Sequence, residues 1–235
     1  MIKDIFGTYN MRCRINVGLI FLSPILVHIY LLLPEFNSLA STFIITLIIY
    51  ALSSLIVIFS RQYGSKALMK CYPDMLPAQQ FLMPNDTHID TYTKDRYYDF
   101  FRRHIPNFSV SEDINDMKLQ VQTAITWLIS QTKDTSKYSL INEENMNLGF
   151  SYNLLGLKPF AIWLCIILVS TDFCVMGVCY YFNFHQNTTN MIYSILFTLL
   201  CLIMWCSMIT EKLVISSAQK YARALLSACD SPFLN

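Results

Sequence analysis

Residues 160–182 read FAIWLCIILVSTDFCVMGVCYYF, an apolar run interrupted by a single charged side chain, Asp172. About 20 apolar residues suffice for a helix to cross the hydrocarbon core of a bilayer, so the run predicts a transmembrane helix. A charged side chain at that depth costs about 2.5–3.5 kcal/mol or more unless it faces water, a partner or a bundle interior. Asp172 therefore marks a pore or a helix junction. The plainer alternative is a protonated carboxyl bonded to a neighbouring helix through Ser, Thr or a backbone carbonyl, worth only about 0.6 kcal/mol.

Three more runs have the same character: residues 16–33, 40–60 and 191–210. With 54% hydrophobic and 14% charged residues among 235, the chain is too apolar for an ordinary soluble domain. The composition predicts an all-α, polytopic membrane protein with four transmembrane helices and membrane lipid as its surroundings. Ser38, Leu39 and Ala40 loosely resemble a signal-cleavage site, but the run before them is longer than a signal core, so a retained span is expected.

Basic residues set the orientation. Lys3, Arg12 and Arg14 precede the first span, Arg61, Lys66 and Lys70 follow the second, Lys158 precedes the third, and Lys212, Lys220 and Arg223 follow the fourth. The connections at 34–39 and 183–190 contain no Lys or Arg. Both termini and the central region are thus expected on the cytoplasmic side. The sequon at Asn187 would face outward and matters only in a glycosylating cell. The eight cysteines form no C-x-x-C pair and read as apolar filler.

The expected organisation is a first transmembrane hairpin in 1–60, a cytoplasmic helical domain in 61–159, a second hairpin in 160–210 and a cytoplasmic helix in 211–235. The insertion balances eleven basic against eleven acidic residues, the mark of a folded mixed-charge domain. Its helices are expected at about 62–71, 87–104, after a capping box of Ser109 and Glu112, and at 140–155, where Gly156 and Pro159 signal a stop. Between Asn190 and Ser231 neither Gly nor Pro occurs, which predicts one long helix running from the fourth span into the cytoplasm.

Two sets of residues are candidates for function. In an oligomeric channel, Asp172 with Ser194, Thr198, Cys201 and Ser207 of the fourth span would line the conduit. In the cytoplasmic domain, Lys94, Arg96, Tyr97, Tyr98, Arg102, Arg103 and His104 interleave cations with rings, which suits phosphates and stacked bases of a nucleotide or single-stranded oligonucleotide. The competing reading of that segment is an amphipathic helix whose rings are core and whose charges pair with Asp95 and Asp99. His88 with Asp86 or Asp90 could hold a metal but more often caps a helix, and His28 reads as a bundle hydrogen bond. No nucleophile, base and metal set converges, so no catalytic residue, enzyme activity or cofactor is expected.

Residues 144–159, ENMNLGFSYNLLGLKP, resemble the E-N-x-x-x-G-F-x-x-N-L-x-G-L-K-P stretch of small bacterial membrane proteins of phage-defence systems, such as the membrane effector of Hailong-type systems. The resemblance implies a homo-oligomeric ion channel, for example a tetramer, in the bacterial inner membrane. It further implies control by a nucleotide signal from a nucleotidyltransferase partner, and depolarisation of an infected cell. The rival class is a non-conducting membrane anchor or adaptor that recruits a cytoplasmic protein.

Overall fold

The computed structural model describes residues 13, 15–32, 39–182 and 188–234, with backbone only at 39–45, 47 and 49. Lys3, Arg12, Arg14, Asn187 and most of both short connections lie outside the described residues. Among those described there is no strand, and the expected all-α class holds. The helices are α1 (Asn16–Leu32), α2 (Leu39–Cys71), α3 (Pro77–Gln80), α4 (Thr91–His104), α5 (Ile114–Gln131), α6 (Ser139–Phe182), α7 (Thr188–Ser207) and α8 (Glu211–Leu226), followed by a 3-10 turn, Ser227–Asp230.

Among the described residues two helices, α6 and α7, are long and apolar enough to cross a membrane, and α1 is a shorter apolar helix. Only 11% of the most apolar 18-residue window of α6 is buried, whereas the core helix of a soluble protein would be mostly buried. Trp163, Ile167, Phe173, Val178, Tyr180 and Tyr181 all stand exposed along it. So much uncovered apolar surface calls for lipid or a partner helix.

The chain divides into two compact units. Unit 1 comprises residues 1–68 and 149–213, and unit 2 comprises residues 69–148 and 214–235. The residues beyond 213 belong to the same unit as the insertion. The central part of unit 2 begins and ends inside helices α2 and α6, at 69 and 148.

In unit 1 the core gathers Val17, Leu154, Leu157, Ala161, Cys165, Cys201, Trp205 and Ile209. The expected stop at Gly156 and Pro159 does not occur: α6 is continuous for 44 residues with Pro159 inside it. Gly156 serves close packing instead. A Cβ there would overlap the Gly64 backbone nitrogen and lie 2.5 Å from the carbonyl carbon of Tyr63, and one at Gly64 would lie 2.9 Å from Asn153 Cα. Helices α2 and α6 therefore cross backbone to backbone at two glycines.

The long helix expected after Asn190 is broken between Ser207 and Glu211. Lys158 supplies a physical reason. Its ammonium donates to the carbonyls of Cys206, 3.2 Å, and Ile209, 2.6 Å, closing the C-terminal end of α7 with a cation where the helix dipole favours one.

Unit 2 packs α4, α5 and α8 around Phe81, Leu82, Phe100, Phe101, Met117, Val121, Leu128, Leu225 and Leu226. Helix α4 starts later than the sequence suggested because the Asp90 carboxylate caps it, accepting from the Thr93 amide at 2.9 Å. The same bond holds the Asp90 carboxyl below the usual range. Helix α5 is capped by Asp113, which accepts from the Asn115 amide, and not by the Ser109 and Glu112 box. Between them Asn107 takes a left-handed conformation, φ 62°, and turns the chain after Pro106.

Candidate functional site: a buried carboxylate in the apolar bundle

Three helices of unit 1 bring polar groups together. Helix α1 packs along α7, and Asn190 at the start of α7 donates to the Leu31 carbonyl at 2.9 Å. Helices α6 and α7 run antiparallel with contacts repeating every two turns: Lys158 at Cys206 and Ile209, Cys165 beside Cys201, and Asp172 beside Ser194. A repeat of seven residues keeps the same faces in contact over the length of both helices.

At the third of these levels lies Asp172. Its Oδ1 is 3.1 Å from His28 Nε2, and the two side chains are 2% and 17% exposed. The other ring nitrogen, His28 Nδ1, is 2.8 Å from Ser194 Oγ. With a neutral imidazole, one distribution of protons satisfies the chain: Nε2–H donates to the carboxylate and Nδ1 accepts from the Ser194 hydroxyl. Asp172 Oδ2 and Thr198 Oγ1, one turn below Ser194, are buried without a hydrogen-bond partner.

The proposed conduit residues thus fall into two groups. Asp172, Ser194, Thr198 and Cys201 are buried within a single chain's own bundle, whereas Ser207 is exposed and bonds only the Ile203 carbonyl in its own helix. His28, which the sequence reading left as an isolated bundle hydrogen bond, is the direct partner of Asp172. A polar residue in the interior of each of two apolar runs was the available signal.

Ser, His and Asp in a row also suggest acyl transfer, but that chemistry needs a reachable hydroxyl and N–H donors aimed at an oxyanion. Ser194 is fully buried on the inner face of α7, where the backbone N–H groups are engaged in the helix. The arrangement suits charge stabilisation and proton exchange.

The cations and rings of α4 divide between the core and the surface of unit 2. Lys94, Tyr97 and Tyr98 are buried. The Lys94 ammonium donates to the carbonyls of Met83, 2.9 Å, and Asp86, 2.6 Å, with Pro84 at 3.5 Å, and burial lowers its pKa. Tyr98 donates to the Leu82 carbonyl, 2.5 Å, and burial pushes both tyrosines up to about 12. Arg96 forks onto Asp230, Arg102 pairs with Asp99, and Arg103 Nε donates to the Asp99 carbonyl. His104 Nδ1 lies 2.9 Å from the Phe100 carbonyl, with its ring against Phe100 and Trp127. Tyr97 and Tyr98 join the core, Asp99 receives Arg102 on its carboxylate and Arg103 on its carbonyl, and Arg96 pairs with Asp230 where Asp95 was expected.

His88 likewise serves structure: it bonds Asp86, stacks on Phe81 and shares no cluster of three ligand side chains among the described residues. No family model, curated protein or solved structure matches the chain.

Proposed function

We propose that the chain is a four-span membrane effector that assembles as a homo-oligomer and lets ions cross the bilayer, with unit 2 as its cytoplasmic control element. The observation that carries this reading is Asp172, a carboxylate buried midway along the apolar part of α6. Trp163 and Tyr180, exposed rings of the type that settle at membrane interfaces, lie nine residues before it and eight after it. At 1.5 Å per residue the pair spans about 26 Å, close to the hydrocarbon thickness, which supports a position for Asp172 near the midplane. An acidic side chain there is costly, and ion or proton pathways are where such side chains are retained.

The remaining spans of this reading are α1 and α2, and the orientation is the one the basic residues favour. Assembly is supported by Ser170, Thr171, Cys174 and Gly177, exposed small side chains along α6 that let a second helix approach closely. A role in phage defence, with nucleotide control, rests on the resemblance of residues 144–159. The α4 cluster is not offered as its receptor.

A second reading, a non-conducting anchor, draws on one specific observation: Asp172 is already partnered inside one chain. The two separate in liposomes. Full-length protein reconstituted under a potassium diffusion potential should collapse that potential, read by a voltage-sensitive dye, and Asp172→Asn should slow the collapse. A potential that persists at high protein loading favours the anchor.

A further inference from the structure

We infer that the interior of the α1, α6 and α7 bundle is a proton pathway, with Ser194, His28 and Asp172 as its relay and the proton as the species it carries. This deepens the conducting reading above and rests on it. It differs from the expectation of a conduit lined by copies of Asp172 between subunits.

Burial is the first argument. Asp172, Ser194 and Thr198 are at most 1% exposed, so a hydrated metal cation has no passage among them. A dehydrated one would need a shell of oxygen ligands, and here an imidazole occupies the carboxylate's inner side. A proton needs only donors and acceptors in series, which is what the 2.8 Å and 3.1 Å contacts supply.

The step balances without other reactants. A proton arriving at Ser194 Oγ releases the hydroxyl proton to His28 Nδ1, and the resulting imidazolium passes its Nε2 proton to Asp172 Oδ1. The carboxyl is then neutral and His28 carries its proton on Nδ1; the carboxyl returns to the carboxylate by releasing the proton onward, and a turn of the imidazole that exchanges its two nitrogens resets the relay. Among the described residues, α1, α6 and α7 bring no Asp, Glu, Lys, Arg or His other than His28 and Asp172 to this level, and residues 39–60 of α2 contain none.

The onward track is the second, independent argument. On the same buried face of α7 below Ser194 come Thr198, Cys201 and Trp205, and both Thr198 Oγ1 and Trp205 Nε1 are unpaired. From Ser194 to Trp205 this polar line runs about 16 Å. It ends where the Lys158 ammonium meets the Ile209 carbonyl. Unpaired buried donors and acceptors in a row recruit water and link a midplane carboxylate to one surface.

The test uses full-length protein in liposomes that enclose a pH-sensitive dye, with potassium and valinomycin setting the driving potential and a separate potassium-efflux measurement without valinomycin. Wild type should acidify the lumen in proportion to the driving potential, and more slowly in D2O than in H2O. His28→Gln, Asp172→Asn and Thr198→Val should each reduce proton flux about tenfold or more, the scale on which a positioned proton-transfer group acts. Potassium flux without proton flux would overturn the relay and leave the channel standing. Proton flux unchanged in all three variants, or with no isotope effect in wild type, would also overturn it. No flux of either ion would remove both readings. The isotope effect is read on wild type, so misfolding of a variant cannot shield the inference.

Discussion

Tyr97 and Tyr98 are held in the core of unit 2 with their phenols pushed from 10.0 to about 12 by burial. The fold favours the neutral phenol, so the stabilisation is complete below pH 10 and is lost as pH climbs from 10 toward 12. Unit 2 should therefore lose stability in that window, followed by the helical circular-dichroism signal, and Tyr97→Phe should reduce the pH dependence without abolishing it, because burial raises Tyr98, Tyr138, Tyr221 and the Cys229 thiol as well. Lys94 makes a different demand. Lys94→Met leaves the Met83 and Asp86 carbonyls without their donor, and thermal or urea unfolding should register a loss of about 1–3 kcal/mol. Asn107 can be read by backbone alone: Asn107→Gly should be tolerated, while Asn107→Val should cost about 1–2 kcal/mol in the same measurement. The roles of Lys94 and Asn107 were not legible in the sequence, whereas core placement of Tyr97 and Tyr98 was one of the two readings of their segment. The string of Lys94, Arg96, Tyr97 and Tyr98 admits both a ligand site and a core face until α8 and the segment before α4 are placed against it.

At the level of helices, the crossing of α2 and α6 sets the strongest constraint. Gly156→Ala must push the backbones apart at Gly64, and we expect a destabilisation of about 1–3 kcal/mol, measured as a lower melting temperature in detergent. Gly177→Ala serves as the control, since nothing lies within 4 Å of its added methyl. The apolar runs were legible because a helix that meets lipid is apolar all round, and α6 and α7 were found where the runs lie. Helix ends were less so. Gly156 and Pro159 read as a stop because Gly and Pro punctuate soluble helices, yet here one allows close approach and the other is carried within a long apolar helix. The break after Ser207 has no Gly or Pro to announce it and depends on Lys158, about fifty residues earlier in the chain.

For the whole molecule, the arrangement into units was only partly readable, because the partner of an amphipathic helix is not written into the helix. Val214, Ala218, Ala222 and Leu225 recur at helical spacing on α8, but only the structure shows Ala222 and Leu225 joining the core of the insertion. The basic residues support one orientation of the spans, and it can be checked directly. A cysteine at Thr189 should react with an impermeant reagent from outside the cell, and one at Lys137 only after permeabilisation. The reverse labelling would invert the topology and put unit 2 on the outer side.

The glycine crossing also bears on how this chain can diverge. At most packed contacts a larger residue on one side is offset by a smaller one opposite, so lineages drift through compensated pairs. Gly64 and Gly156 leave nothing smaller to substitute, and neither position can be repaired from the other. Descendants of this sequence should either keep both glycines or have re-spaced the two helices entirely.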